Sequence, residues 1–184
     1  MRKPEQGVHG VLAAEEQGEV VSLCSLMANG RMFGIDTRRV REVLGMRRLD
    51  RVPLAPAFIA GVLPYRGEVL TAVSLRSLLG MAPATGTSCV LVLHGDAEEE
   101  RFGLMVDSVG GVVMLSRALM AANPSTLDEA GRAMFAGSYR VGHGLLVQLD
   151  PARLRPSQLL ETGLFGQGGR GRGGKPEGEM RCER

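Results

Sequence analysis

Phe33-Gly34-Ile35-Asp36, followed by Val40-Arg41-Glu42-Val43-Leu44, is the stretch that decides the fold, because the chain uses its pattern twice. Phe102-Gly103-Leu104 repeats the opening at an offset of 69 residues. At the same offset Val40 meets Val109, Val43 meets Val112, Leu44 meets Val113 and Met46 meets Leu115. A second echo, offset by 76, sets Gly61 on Gly137, Val69 on Leu145, Leu70 on Leu146 and Val73 on Leu149. Chance likeness among apolar strings is the competing account. The ordered agreement instead makes the chain two copies of one hairpin-rich unit, with a slightly longer connector in the second. Two units are too few for a solenoid, which stacks three or more.

Outward from the echo, short apolar runs alternate with glycine and polar turns. Strands are predicted over Val20–Met27, Met32–Ile35, Val40–Met46, Glu68–Leu75, Cys89–Leu93, Phe102–Val106, Val109–Leu115 and Leu145–Leu149. Asn29-Gly30 and Arg66-Gly67 supply turn signals between them. Runs of this length are too short for typical globular helices. Helical signal is confined to Ser74–Leu79, Pro124–Met134 and Pro151–Leu160, with Ser74 and Asp150 as caps and Pro151 at a first helical position. The chain therefore reads as all-β. Two small barrels packed together satisfy the repeat, and closure hides strand edges that would otherwise invite association.

Composition narrows the function classes. The 184 residues suffice for one domain, or for two small subdomains sharing a core. Aromatic residues are 4% and Trp is absent, so the core is aliphatic and base-stacking platforms for nucleic acid are poorly supplied. A net charge of +2 implies no polyanionic partner. Cys24, Cys89 and Cys182 have no disulfide-framework spacing, and the first two sit in strand-like surroundings where free cysteines bury, which suits a reducing compartment. His9, His94 and His143 lack metal-ligand spacing, and no phosphate loop or nucleophile elbow occurs. No run reaches the roughly 18 apolar residues of a membrane span. A cytoplasmic protein with a flexible lead-in (residues 1–18) and a disordered Gly/Arg-rich tail (163–184) is expected. Arg170, Arg172 and Lys175 of that tail can touch RNA or an acidic surface, but Glu177, Glu179 and Glu183 follow at once, which favours a solvated tail.

Further motifs fall in a recognisable order: Arg51-Val52-Pro53, then Pro56-Ala57-Phe58-Ile59-Ala60-Gly61-Val62, then Arg66-Gly67. The second half adds Phe102-Gly103-Leu104-Met105-Val106-Asp107-Ser108-Val109 and Gly144-Leu145-Leu146-Val147-Gln148-Leu149-Asp150. In this order and spacing the chain resembles the CheW family, the coupling proteins of bacterial chemosensory arrays, over roughly residues 18 to 162. The resemblance implies two SH3-like five-stranded β-barrel subdomains, intertwined around a shared apolar core with short helices, within residues 19–162; the second is centred on about 86–143. It implies no catalysis, no cofactor and no metal. It also implies an adaptor that bridges the cytoplasmic tips of methyl-accepting chemoreceptors to a CheA-like histidine kinase, recruited to receptor clusters without membrane insertion and without nucleic acid. A scaffold for a different signalling client, or a small ligand- or nucleic-acid-binding barrel, is the alternative.

Two departures from the family pattern bear on partner choice. Pro64-Tyr65-Arg66-Gly67 stands where Asn-Leu-Arg-Gly is usual, and Val73-Ser74-Leu75-Arg76 where Val-Asp-Leu-Arg is usual. Pro64 removes a backbone donor, and Ser74 keeps a cap but loses a carboxylate that can pair with an arginine. The resemblance puts receptor contact on Val40, Val43, Leu44 and Arg66, and leaves the kinase contact unassigned. Core packing is the plain alternative for the three aliphatic residues, and an ordinary exposed or structurally paired arginine for the fourth. Arg38, Arg39, Arg41, Arg47, Arg48 and Arg51 form a dense basic stretch, either a solvated face or one complementary to an acidic partner. Phe58 and Ile59 are expected to bury, and Gly34, Gly61, Gly67 and Gly103 to serve structural turns.

Overall fold

The computed structural model describes residues 19–45, 48–86, 88–94, 100–125 and 128–163. The expectations for the lead-in, for Met46 and Arg47, for Cys182 and for the tail beyond residue 163 lie outside the described residues.

β1 (Val20–Ala28) buries Leu23 and Leu26 completely and returns through a two-residue turn into β2 (Arg31–Asp36). Asn29 at φ 50° and Gly30 at φ 72° give that turn the left-handed pair whose twist matches the strands it joins. A single 3-10 turn, Thr37–Arg39, is capped by the Asp36 carboxylate, which accepts from the Arg38 N–H at 2.9 Å. β3 (Val40–Leu44), β4 (Ile59–Tyr65) and β5 (Glu68–Ser74) complete the first half. The second half is β6 (Cys89–Leu93), β7 (Phe102–Val106), β8 (Ser108–Ser116), β9 (Phe135–Val141) and β10 (Gly144–Leu149).

The strands assemble across the halves. One sheet has the order β8-β1-β2-β10-β9, the other β3-β6-β7-β5-β4. Each takes its first hairpin from one half and three strands from the other. The two arrangements match position for position: β2 runs parallel to β10 with Gly34 against Gln148, and β7 runs parallel to β5 with Gly103 against Ala72. Those two glycines therefore do not sit in turns. Both lie inside strands at the parallel crossing, where a Cβ would come within 2.7 Å of Leu146 at Gly34 and 2.6 Å of Val90 at Gly103.

The expected closed barrels are not formed. Both sheets are open, and their end strands, β3 with β4 and β8 with β9, do not pair as strands. One isolated bridge spans each gap, Asp50–Val62 in one sheet and Ala121–Ser138 in the other. Barrel closure needs a hydrogen-bonded ladder on every side. Here the connecting chain carries Pro53 and Pro56 before β4, and Pro124 before β9, and proline has no N–H for a ladder. The edge strands β4 and β9 also escaped the sequence reading. Pro64 and Gly61 interrupt the one, Gly137 and Ser138 the other, and such residues are tolerated at sheet edges.

Between the sheets lies the shared core, with Leu26, Phe33 and Ile35 meeting Leu91, Phe102 and Leu104. Each sheet has a smaller core of its own: Leu44, Leu63, Leu70 and Val92 in one, Val21, Leu23, Tyr139 and Leu146 in the other. The helices are brief. Ser74 accepts from the Ser77 N–H at 3.2 Å and starts α1 (Leu75–Leu78). Asp128 accepts from the Gly131 N–H at 2.7 Å and starts α2 (Glu129–Met134). The single helix predicted over Pro151–Leu160 is split into a 3-10 turn, Pro151–Leu154, and α3 (Pro156–Thr162). Pro156 cannot donate to a continuing helix and holds Arg155 extended at ψ 137°.

Candidate protein-binding surface

β3 is an edge strand, and its side chains divide by face. Val40 is half-buried and packs on the shared core, Val43 is 46% exposed, and Leu44 is buried in the smaller core beside Leu63 and Leu70. Of the three aliphatic residues the resemblance nominated, Val43 presents the most surface, Val40 forms a partial floor, and Leu44 supports from within.

Arg66 reaches this strand from the β4–β5 turn. The turn is a two-residue reversal with Arg66 at φ 51° and Gly67 at φ 83°. Only glycine takes such angles freely, so Arg66 is held there at some conformational cost. Its Nη2 donates to Glu42 Oε2 at 3.1 Å, and the Tyr65 hydroxyl donates to the same oxygen at 2.8 Å. The guanidinium carbon stands 5.3 Å from the Tyr65 ring centroid, within range of a cation–π contact. Burial, reinforced by the hydrogen bond to Glu42, holds the Tyr65 phenol above its ordinary pKa, so it stays a donor. Tyr65, a departure from the family pattern, thus ties Glu42 in place with its ring buried. Arg66 keeps 63% of its side chain exposed and retains donors for a partner.

Nearby, Arg38 grips Asp36 through Nε (3.0 Å) and Nη2 (2.6 Å), which holds that carboxyl below the usual range. Arg41, Arg48 and Arg51 are exposed. Gly61 sits at φ 148° in the β4 bulge, where a Cβ would meet the Asp50 carbonyl at 2.6 Å. Gly61 thus lies inside a strand and not in the expected turn, and it is required by that close approach.

The internal repeat reveals residues that direct inspection missed. Val109 and Val112 are the counterparts of Val40 and Val43, and they occupy the counterpart edge strand β8. Val109 packs on the shared core as Val40 does, and Val112 is 62% exposed, with Met114 exposed beside it. The signal was the 69-residue offset itself. Arg76 was also underrated. Its Nε and Nη2 each donate to an Asp107 oxygen at 2.6 Å, while Asp107 Oδ2 also accepts from the Asn29 N–H at 2.7 Å. The carboxylate that Ser74 lacks is supplied from the end of β7.

Burial raises the thiol pKa of Cys24 and of Cys89, which disfavours the thiolate at both. Among the described residues no group of three or more His, Cys, Asp or Glu is placed to hold a metal ion, and no helix is long and apolar enough to cross a membrane. Exposed valines on two edge strands and a tethered arginine make up the candidate surface. Comparison with known proteins gives it a family: the CheW-like domain matches residues 22–158, and the chain belongs to that family. Its members are non-catalytic adaptors, and the chain has the corresponding general role, a scaffold of chemotaxis signal transduction acting through protein–protein contacts. The chemotaxis protein CheW of Treponema pallidum is 24% identical over 147 residues, covering 78% of this chain and 86% of that protein. Protein FrzA of Myxococcus xanthus is 28% identical over 151 residues, covering 82% and 91%. The crystal structure of the scaffolding protein TtCheW from Thermoanaerobacter tengcongensis has the same fold, with a TM-score of 0.66 at 18% identity over 74% of this chain and 92% of that one.

Proposed function

We propose that residues 19–162 form a working unit that couples the cytoplasmic tips of chemoreceptors to a CheA-like histidine kinase and is recruited to receptor clusters by those contacts. The observation that carries this reading is the pair of exposed valines, Val43 and Val112, at equivalent places on the edge strands β3 and β8. Exposed aliphatic side chains on a sheet edge favour a partner that covers them. A helical receptor tip offers an apolar stripe for that purpose, and Arg66 donates to its polar flank. Leu44 supports the strand from behind. Coupling follows if the receptor's signalling states bind the assembly with different affinity.

Two results test it. Val43→Asp and Val112→Asp each place a charge on the apolar face, and each will lower co-sedimentation with a receptor tip fragment about tenfold or more while leaving the melting temperature within a few degrees. Arg66→Ala will also weaken receptor binding. It will cost no more than about 1 kcal/mol of stability, because its ion pair with Glu42 is largely solvated. Unchanged binding in Arg66→Ala would remove that residue's assigned role.

A further inference from the structure

The second echo runs on past β5 and β10, and a groove opens where it stops. At the offset of 76 the capping Ser74 meets the capping Asp150, and the buried Leu75 and Leu78 meet the buried Pro151 and Leu154. Residues 80–86 then stand opposite Pro156–Thr162, and the likeness ends. In the second half that stretch is α3, which puts Leu159 into the shared core, while Arg155 at its start pairs with Glu100. In the first half residues 80–86 form no helix, and Pro83, the counterpart of Leu159, is exposed. Gly80, Pro83 and Gly86 all disfavour one. The first half therefore lacks the helix that its twin carries.

Beside the end of α1 lies an open groove of about 1300 Å³. Leu78 and Met81 line it, with Met27 and Met32 from the β1–β2 hairpin, Met134 from α2 and the exposed Leu145 from β10. Small-molecule pockets run to roughly 300–1,000 Å³, so the space suits a segment of chain. Methionine side chains adapt to the ridged surface of a helix. No lining residue belongs to β3 or β8.

The charge at the rim has a precedent in the twin. Arg31 lines the groove, and at the offset of 69 it is the counterpart of Glu100, the residue that pairs with Arg155. Arg31 is exposed, and among the described residues no carboxylate pairs with it. Asp128, the other charged residue on the wall, gives a carboxylate oxygen to the cap of α2. The second half thus offers an anion to its own helix, and the first offers a cation to a helix it does not possess. Residues 164–184 hold Leu164-Phe165 and then glycine-rich sequence without an apolar stripe. Residues 1–18 have Val8, Val11 and Leu12 at helical spacing. As a helix they would carry Leu12 only about 9 Å from Gly18, whereas Met27 lies about 23 Å along β1 from Val20.

We infer that this groove takes a short amphipathic helix of a partner protein, with apolar residues three and four apart on one face and a carboxylate that meets Arg31. The site is separate from the β3 and β8 surfaces and does not depend on the coupling function proposed for them.

The probe is a synthetic helical peptide with leucines at i, i+3, i+4 and i+7 flanked by glutamates, compared with a twin flanked by lysines. Isotope-labelled methionine methyl groups in the full chain report the site by nuclear magnetic resonance. The signals of Met27, Met32, Met81 and Met134 should move on adding the glutamate peptide, and that of Met114 on β8 should not. Arg31→Glu should lower affinity for the glutamate peptide about tenfold and reverse the preference between the two. Leu145→Asp should weaken both peptides. Both residues are exposed, so melting temperatures should stay within a few degrees of wild type and receptor binding should be unchanged. Absence of binding, or shifts confined to Met114, overturns the inference, and equal affinity of wild type for the two peptides overturns the role of Arg31. Groove signals that move with protein concentration alone would assign the groove to a second copy. Preferential binding of a peptide of residues 1–18 would assign it to the chain's own lead-in. A parallel loss of receptor binding in either variant would merge it with the receptor surface. Each of these three results also overturns the inference.

Discussion

Expressed without its second half, the chain will not fold. A fragment ending at residue 84 retains β1 to β5, which two independent barrels would make a complete unit. In the observed topology that fragment loses β6 and β7 from the centre of one sheet, stranding β3 from the β4–β5 hairpin. In the other sheet it keeps only the β1–β2 hairpin. Isolated hairpins are marginal in water, and the shared core would lose Leu91, Phe102, Leu104 and Leu149. Far-ultraviolet circular dichroism and amide proton dispersion should report an unfolded fragment. Mixing it with residues 85–184 should restore the native spectrum, because each half supplies the strands the other lacks. A cooperatively folded single half would contradict the crossed assembly.

The second large effect concerns Arg76. Its two-point grip on Asp107 is mostly shielded from water, the side chains being 18% and 22% exposed. The pair joins the start of α1 to the end of β7, and through the Asn29 N–H to the β1–β2 turn; Arg76 Nη1 also donates to the Ala82 carbonyl at 2.9 Å. Arg76→Ala removes charge-assisted bonds and leaves a carboxylate with one donor. A loss of about 2–3 kcal/mol is expected, or roughly 5–10 °C in melting temperature. The pH dependence has a definite sign. The Arg76 guanidinium holds the Asp107 carboxyl below its ordinary value, so folding favours the ionised form. That contribution is present in full above the unfolded carboxyl pKa of about 4, and it fades as pH falls through the lower folded value. Wild type should therefore lose stability below about pH 4 more steeply than Arg76→Ala. Parallel acid denaturation curves for the two proteins would show that the pair contributes nothing.

Much of this was legible before any coordinates. The hairpin at Asn29-Gly30 follows from the left-handed pair its turn demands, and the Ser74 cap from a hydroxyl placed just before a helical turn. The repeat also placed Val109 and Val112 opposite Val40 and Val43, although their exposure was not read from it. Other features were hidden. β4 and β9 are edge strands, where glycine and proline are tolerated, so their patterns resemble loops. The α3 break at Pro156 was legible but unread, since the proline was absorbed into a longer helical pattern. Tyr65 stood in the sequence only as a departure from the family pattern, and its buried ring and its bond to Glu42 come from the tertiary structure.

By itself the sequence determined an all-β chain of two similar units, an aliphatic core and a non-catalytic character within the CheW family. These depend on local pattern: alternation, turn chemistry and the order of motifs along the chain. Tertiary structure alone decided that the units exchange strands, that the sheets stay open, that Leu44 faces inward while Val43 faces out, and that Asp107 completes Arg76. Each depends on which strand pairs with which, and hydrophobic alternation is the same whether a strand pairs within its own unit or with the other.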